Sequence, residues 1–243
     1  MLPPGLQTAV SLLYPARCLA CGGLVDADFG LCGSCWRDTS FIGGTVCDAC
    51  GAPLPGGGDQ LSPHCDACLT TPRPWTRGRA AVLYRDTGRK LVLALKHGDR
   101  QEIARPAALW MAQSAQNIMP PDALIAPVPL HWLRMLKRRY NQSALLAKAL
   151  AAQSGHMWCA DLLQRMRRTP SLDGLGRDER FAVLNQSIRV HPRRRHRLIG
   201  RPVVLVDDVL TSGATLTATA KACLDAGSGP VFVVALARVV KET

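Results

Sequence analysis

Eight of the ten cysteines fall between positions 18 and 68, grouped in four C-x-x-C pairs. The pairs are Cys18/Cys21, Cys32/Cys35, Cys47/Cys50 and Cys65/Cys68. Two thiolates three positions apart on a tight turn can bind the same tetrahedral zinc ion, so each pair supplies half of a four-thiolate site. Four pairs therefore predict two Zn²⁺ ions, and sites closed by four thiolates are structural because they keep no open coordination position.

Other uses of eight cysteines fit the chain less well. A secreted disulfide framework normally follows a signal peptide, and the N-terminal apolar run lacks both a basic n-region and a small-residue cleavage site. A thioredoxin-like redox motif needs one pair rather than four. The isolated Cys159 and Cys223 are expected to be small, buried apolar residues.

The spacing leaves two zinc pairings open. Ten residues separate Cys21 from Cys32, and fourteen separate Cys50 from Cys65. Both gaps suit a short hairpin between two knuckles, which favours two successive zinc ribbons. An interleaved arrangement, in which the first pair joins the third and the second joins the fourth, stays open.

Basic residues are concentrated in the middle of the chain. The formal net charge is +12, and residues 123–201 contain 16 Lys and Arg against 4 Asp and Glu. Such segregation favours a surface that meets phosphate over a merely solvated basic face. No stretch approaches the roughly 18 apolar residues of a membrane helix, so we expect a cytoplasmic protein without a membrane span.

Beyond about residue 76, strand and helix patterns replace the turn-rich composition. We expect strands at 80–84, 124–130, 203–206 and 231–237, and helices at 91–96, 101–117, 143–153 and 214–226. The last part of the chain reads as a βαβ unit whose β-branched strands suit a parallel sheet. The sequence therefore predicts an N-terminal helix with a double zinc-ribbon domain over 1–76, followed by an α/β domain over 77–243.

An acidic pair and a hydroxyl-rich loop follow the strand predicted at 203–206. Ligands of such sheets bind outside the carboxyl ends of the strands, where Asp207 and Asp208 lie. Thr211 to Thr215 place consecutive N–H groups at a helix N-terminus, and Gly213 lets a phosphate approach the backbone closely. The two carboxylates suit ribose hydroxyls or Mg²⁺. A phosphate, a diol and a metal side by side describe a phosphorylated sugar.

The run VVLVDDVLTSGAT at 203–215 resembles the phosphoribosyl pyrophosphate (PRPP) signature of type I phosphoribosyltransferases at every position. Together with the cysteine pairs, three further segments resemble the ComF (ComFC) family of amidophosphoribosyltransferase-like proteins associated with competence and use of DNA. These segments are LKHGD at 95–99, APVPLHWLRMLKRRYNQSALLA at 126–147 and RRTPSLDGLGRDER at 167–180. The resemblance implies a type I phosphoribosyltransferase-like parallel sheet flanked by helices, preceded by a double zinc ribbon.

The resemblance also implies roles for particular residues. Asp207 and Asp208 would be the catalytic pair, in contact with the ribose hydroxyls and Mg²⁺. The rest of the PRPP site would comprise Val209, Leu210, Thr211, Ser212, Gly213, Ala214 and Thr215. The pyrophosphate loop would comprise Pro127, Val128, Pro129, Arg134, Lys137, Arg138 and Arg139. A flap over 165–180 would contribute Arg167, Arg168, Arg177 and Arg180.

Two positions depart from the family's common pattern. The run Arg138-Arg139-Tyr140-Asn141-Gln142 stands where the family commonly has R-G-[FY]-N-Q. Leu172 stands where the flap segment commonly has a glutamine.

Three classes of function stay open at this point. The first is Mg²⁺-dependent phosphoribosyl transfer to an unidentified acceptor, and the second is a PRPP-binding sensor or adaptor without turnover. The third is a single-stranded DNA-binding competence protein that works with a helicase or translocase of the uptake machinery. Basic residues serve PRPP or DNA equally well. Candidates for acceptor or phosphate contacts, with packing or surface roles as the alternative, are His97, Trp110, His131 and Trp132.

Overall fold

A computed structural model describes residues 15–55, 63–130, 140–166 and 187–240. The cysteine-rich segment contains two short helices, α1 (Gly33–Arg37) and α2 (Asp66–Thr70). The predicted N-terminal helix lies outside the described residues. None of the described helices is long and apolar enough to cross a bilayer.

The rest of the described chain alternates strands and helices. In chain order these are β1 (Arg77–Leu83), α3 (Asp86–His97), α4 (Ala104–Ala115), β2 (Leu124–Pro127), α5 (Gln142–Ser154), β3 (Met157–Trp158), β4 (Leu163–Arg165), β5 (Ile188–Val190), β6 (Val203–Leu210), α6 (Ala214–Asp225) and β7 (Val231–Arg238). Two 3₁₀ turns, Gln101–Ile103 and Pro192–Arg197, precede α4 and β6.

Five strands form one parallel sheet in the order β1-β7-β6-β2-β3. Every residue of β7 is buried, as expected for a strand whose two faces are both covered. The short strands β4 and β5 form a separate antiparallel pair. A parallel sheet behind a cysteine-rich segment confirms the predicted fold class.

Two apolar cores lie on opposite faces of this sheet. Alternate residues of β6 divide between them, with Val204 and Val206 in one core and Val203 and Leu205 in the other. Helices α3, α4 and α5 cover the first face, where they bury apolar side chains against the strands. Helix α6, the β4–β5 pair and the second group of cysteines cover the other face.

The cysteine-rich segment also covers the edge of the sheet. Ile42 N–H donates to the Ala81 carbonyl at 2.9 Å, and Leu83 N–H donates to the Ser40 carbonyl at 2.8 Å. These bonds add a short antiparallel segment to β1, which would otherwise leave unpaired backbone groups at the edge. Beside it, the Phe41 ring packs edge-on against Trp110 at 5.3 Å, which gives that tryptophan a packing role.

The second cysteine group lies too close to β1 for a side chain at Gly78. A Cβ there would lie 2.6 Å from the Ala49 carbonyl oxygen, which also accepts a bond from Trp75 Nε1 at 2.6 Å. Arg77 and Arg79 each place a guanidinium nitrogen 2.8 Å from Asp48. These contacts fasten the second ribbon to the sheet, while the domain boundary at residue 76 stays a prediction.

Several predicted elements differ from the structure in their bounds. The helix predicted at 91–96 begins at Asp86, and the one predicted at 101–117 begins as a 3₁₀ turn. The strand predicted at 124–130 ends at Pro127, and prolines 127 and 129 lack the N–H that would continue the ladder. The strand predicted at 203–206 continues to Leu210, since its ladder with β7 extends to Arg238. The short strands β3, β4 and β5 were not predicted.

Candidate functional site

The first four cysteines converge on one point. Cys18, Cys21, Cys32 and Cys35 hold their sulfur atoms within 4.8 Å of one another, and the Cys21 and Cys32 sulfurs are 3.7 Å apart. A tetrahedral ion with Zn–S bonds of about 2.3 Å requires sulfur atoms about 3.8 Å apart. The four side chains therefore fit a structural zinc ion.

The next four cysteines along the chain form an equivalent but more buried centre. Cys47, Cys50, Cys65 and Cys68 also lie within 4.8 Å of one another, with 3.7 Å between the Cys50 and Cys65 sulfurs. Gly51 has a φ of +69°, the left-handed conformation that turns the backbone tightly after Cys50. The two groups confirm successive zinc ribbons, and the interleaved arrangement is wrong.

An acid pair lies near the carboxyl end of β6. Asp207 Oδ1 accepts a hydrogen bond from Ser143 Oγ at 2.9 Å. Asp208, which is 8% exposed, has an Oδ1 atom 3.1 Å from Lys96 Nζ. One hydroxyl from α5 and one cation from α3 thus contact two adjacent carboxylates of β6.

Local capping bonds hold these partners in place. Asn141 caps α5, since its side chain accepts from Ser143 N–H at 3.0 Å and donates to the Val128 carbonyl at 3.1 Å. The Tyr140 hydroxyl donates to the Leu95 carbonyl at 2.8 Å, in the last turns of α3. The segments LKHGD (95–99) and YNQS (140–143) are therefore hydrogen-bonded to each other beside the acid pair.

Burial and, after it, repulsion from the neighbouring Asp208 carboxylate raise the pKa of Asp207 to about 7. Lys96 and the Ser143 hydroxyl act in the opposite direction, because both stabilise the ionised form. Asp207 therefore exchanges its proton near neutral pH, where a cation that needs the ionised carboxylate competes with that proton.

The loop between β6 and α6 presents free backbone donors. The N–H groups of Thr211, Ser212 and Gly213 donate no hydrogen bond to any described residue. Gly213 adopts a left-handed φ of +82°, and α6 begins at Ala214 with its first N–H groups facing out of the helix. Consecutive donors at a helix N-terminus can bind an anion, and these donors follow the acid pair by only a few residues.

Many predicted residues of the site lie outside the described ranges. Of the pyrophosphate loop, Pro127, Val128 and Pro129 are described, and Val128 is buried beside the Asn141 cap. The basic residues of that loop and the flap lie outside the described ranges, as do two of the acceptor candidates. They are Arg134, Lys137, Arg138, Arg139, Arg167, Arg168, Arg177, Arg180, His131 and Trp132. His97 is described and exposed at the end of α3.

The basic excess of the middle segment does not all lie at this site. The 3₁₀ turn Pro192–Arg197 contains four arginines and precedes the amino end of β6. The acid pair lies towards the opposite end of that strand, four and five residues beyond Val203, which is about 13–17 Å along the strand. Arg193 and Arg195 are exposed. Part of the positive charge therefore lies at the opposite end of β6 from the acid pair.

Four residues that contact the site or its loop had no role in the sequence prediction: Lys96, Ser143, Arg73 and Arg238. Lys96 lies inside a motif that was recognised only by resemblance. Ser143 follows a capping Asn, which is a usable signal for a helix start. Arg238 ends a wholly apolar strand, and a charge in such a position must find a buried partner.

Comparisons with known proteins agree with this geometry. The sequence profile of the double zinc ribbon domain matches residues 9–69. DNA utilization protein YhgH of Salmonella typhi is 32% identical over 234 residues, which cover 93% of this chain and 99% of that protein. Competence protein F of Haemophilus influenzae is 28% identical over 229 residues, which cover 91% and 96%. Competence protein ComFC of Bacillus subtilis is 24% identical over 208 residues, which cover 84% and 82%.

We predict two zinc ions per chain by elemental analysis. Cys21→Ser should remove the ion of the first centre and Cys65→Ser that of the second, each leaving one ion bound, because the two sulfur groups share no ligand. Cys159→Ser, which alters a buried cysteine outside both centres, should retain two ions. Fewer than two ions in the unaltered protein would contradict the assignment.

We also predict that Asp207→Asn stabilises the protein in a pH-dependent manner. An acid whose folded pKa is raised loses its stabilising contribution as pH rises from its unfolded value, about 3.9, through its folded value near 7. The advantage of the Asn variant in free energy of unfolding should grow by about 1–3 kcal/mol between pH 5 and pH 8. Denaturant titrations without added metal measure it.

Asp161→Asn provides the control for that series. The Arg194 guanidinium lowers the pKa of the Asp161 carboxyl, so its loss should shift stability in the opposite direction and by less, since the pair is exposed to solvent. A pH-independent effect of Asp207→Asn would show that the pKa of this carboxyl is not raised in the folded protein.

Proposed function

Since this chain belongs to the ComF family of DNA utilization and competence proteins, we propose that it binds PRPP with Mg²⁺ and transfers the phosphoribosyl group to an acceptor. The observation that carries the proposal is the juxtaposition at one end of β6. Three backbone N–H groups of the loop before α6, which have no acceptor among the described residues, lie next to the two carboxylates near the end of β6. An anion site beside an acid pair matches the chemistry of a phosphorylated ribose.

In this proposal the loop holds the 5′-phosphate. The N–H groups of Thr211, Ser212 and Gly213 would donate to its oxygens, and the positive end of the α6 dipole adds to the attraction. Hydroxyls of Thr211, Ser212 and Thr215 are available to the remaining oxygens. Gly213 supports this placement because it lets the backbone turn into the helix and keeps a side chain out of the loop.

Asp207 and Asp208 would then face the ribose ring. Both carboxylates suit the 2′- and 3′-hydroxyls, and carboxylate oxygens are also the ligands that Mg²⁺ takes when it shares a site with substrate phosphates. When bound, Mg²⁺ would neutralise negative charge on the pyrophosphate. Ser143 fixes the Asp207 carboxylate, so that its orientation does not depend on the ligand.

Transfer breaks the bond between the anomeric carbon and pyrophosphate while a bond to the acceptor forms. Positive charge develops on the sugar and negative charge on the leaving group, so the protein's main contribution is to place cations beside the pyrophosphate and acids beside the ribose. Lys96, whose Nζ lies 3.1 Å from Asp208, would supply one such cation. The pyrophosphate-loop and flap arginines keep the same role as predictions.

Titration calorimetry with PRPP tests the proposal. Asp207→Asn and Asp208→Asn should each raise the dissociation constant at least tenfold in the presence of Mg²⁺, and Asp225→Asn, an exposed carboxylate at the end of α6, should leave it unchanged. The absence of binding heat with the unaltered protein, with and without Mg²⁺, would contradict it. A screen for PRPP-dependent pyrophosphate release over nucleobases, amines and nucleic-acid fragments separates a transferase from a sensor without turnover.

The arginine turn at the other end of β6 favours a second candidate function, the binding of single-stranded DNA. Arg193 and Arg195 are exposed there, far from the acid pair, and the named relatives include a DNA utilization protein. Such a surface would follow the phosphate backbone without reading bases. A helicase or translocase of an uptake machinery stays the predicted partner in this role.

The DNA-binding surface makes its own prediction. Replacing both Arg193 and Arg195 with Gln should weaken binding to a single-stranded oligonucleotide at low salt and reduce the slope of log affinity against log salt by about 1–2. PRPP binding should not change, since the turn lies at the opposite end of the strand. A salt slope near zero in the unaltered protein would exclude a backbone-binding role.

A further inference from the structure

Arg238 ends β7 as a buried cation between the second cysteine centre and the β6–α6 loop. The residue is 6% exposed, and its Nη1 donates to the carbonyls of Leu210 at 3.0 Å and Thr211 at 2.8 Å. Its Nη2 donates to the sulfur of Cys50 at 3.6 Å. No described carboxylate forms an ion pair with it. Because a buried guanidinium needs a negative partner, the thiolates of the centre fill that role.

Arg73 forms a similar hydrogen bond with the carbonyl of the next loop residue, Ser212. Its Nη1 donates to the Ser212 carbonyl at 2.8 Å, and its guanidinium lies 5.5 Å from the centroid of the Trp75 ring, which packs in the same core as Cys68 of the second centre. A Cβ at Gly213 would lie 2.8 Å from the same nitrogen. The arginine therefore lies directly against the loop, with the second centre on its other side.

These bonds determine which way the loop's peptide groups point. In a trans peptide the carbonyl and the following N–H point in opposite directions, and the described chain has no cis peptide. With the carbonyls of Leu210, Thr211 and Ser212 held by guanidinium groups, the N–H groups of the three following residues point away from the arginines. Those are the same three donors that have no acceptor among the described residues.

We propose that Arg238 and Arg73 are positioning residues through which the second zinc centre, and not the first, orders the loop for phosphate. Four thiolates around one Zn²⁺ carry a formal charge of −2, which holds both guanidinium groups in place. Loss of that metal removes the fixed charge, and the loop carbonyls lose their partners. No hydrogen bond joins the first centre to residues 207–215 within the described chain. The part of this inference that concerns phosphate binding rests on the proposed function.

Substitution of the arginines tests the link. Arg238→Gln and Arg73→Gln should each raise the dissociation constant for PRPP at least tenfold. Arg77→Gln is the matched control, because Arg77 also joins the second ribbon to the sheet, through Asp48, but does not contact the loop. It should change the constant less than twofold. Arg73 is only partly buried, so its variant folds more readily if loss of the buried Arg238 prevents folding.

Removal of one metal at a time tests the role of the centre. Cys65→Ser, with one zinc ion lost, should weaken PRPP binding at least tenfold, and Cys21→Ser, with the other ion lost, should weaken it less than twofold. Equal effects of the two substitutions would overturn the assignment to the second centre. Zinc content, measured on the same samples, shows that each substitution removed the intended ion.

Amide hydrogen exchange tests the link between the second centre and the loop without any ligand. Val239 N–H donates to the Leu210 carbonyl at 3.0 Å, beside the Arg238 bond. Its exchange should accelerate at least tenfold in Arg238→Gln and Cys65→Ser but not in Arg77→Gln or Cys21→Ser. If exchange responds in this manner and the unaltered protein does not bind PRPP, the link stands and the proposed function is wrong. If PRPP binds and neither exchange nor affinity responds, the link is wrong.

Discussion

The parallel ladder between β6 and β7 is the constraint on which the candidate site depends. It runs from Val203 opposite Val231 to Leu210 opposite Arg238, so both strands end at the same edge of the sheet. That edge brings the acid pair, the loop before α6 and the buried Arg238 together. Because the strands are buried on both faces, a slip of register would move apolar side chains between two packed cores, and the site geometry is fixed with them.

The two cysteine centres contribute differently to this arrangement. The first lies beside the α3–α5 face and the second beside the α6 face, and the segment between them pairs with β1. Within the described chain, only the second is hydrogen-bonded to the end of β7, through Arg238 and Cys50, and Arg238 in turn donates to carbonyls of the loop. The small cysteine-rich segment thereby becomes part of the wall behind the proposed phosphate site.

Local sequence patterns predicted the zinc ligands, the parallel sheet and the acid pair, since each is written in adjacent residues with a fixed spacing. They could not decide the zinc pairing, because gaps of ten and fourteen residues suit both arrangements, and only the grouping of the sulfur atoms in space decides it. They also missed Arg73, whose partner Ser212 is 139 residues away, and the extension of β6, which depends on β7. The charge pattern predicted a phosphate-binding region, but the arginine turn and the acid pair lie at opposite ends of β6.

We propose that a phosphate of PRPP lies on the N–H groups of the β6–α6 loop. Amide chemical shifts of ¹⁵N-labelled protein, recorded during a titration with PRPP and Mg²⁺, report on this contact at each residue. We expect large, saturable shifts of the Thr211, Ser212 and Gly213 amides, with the amides of Pro192–Arg197 unchanged. Shifts confined to that arginine turn, or no shift at the three loop amides, would contradict it.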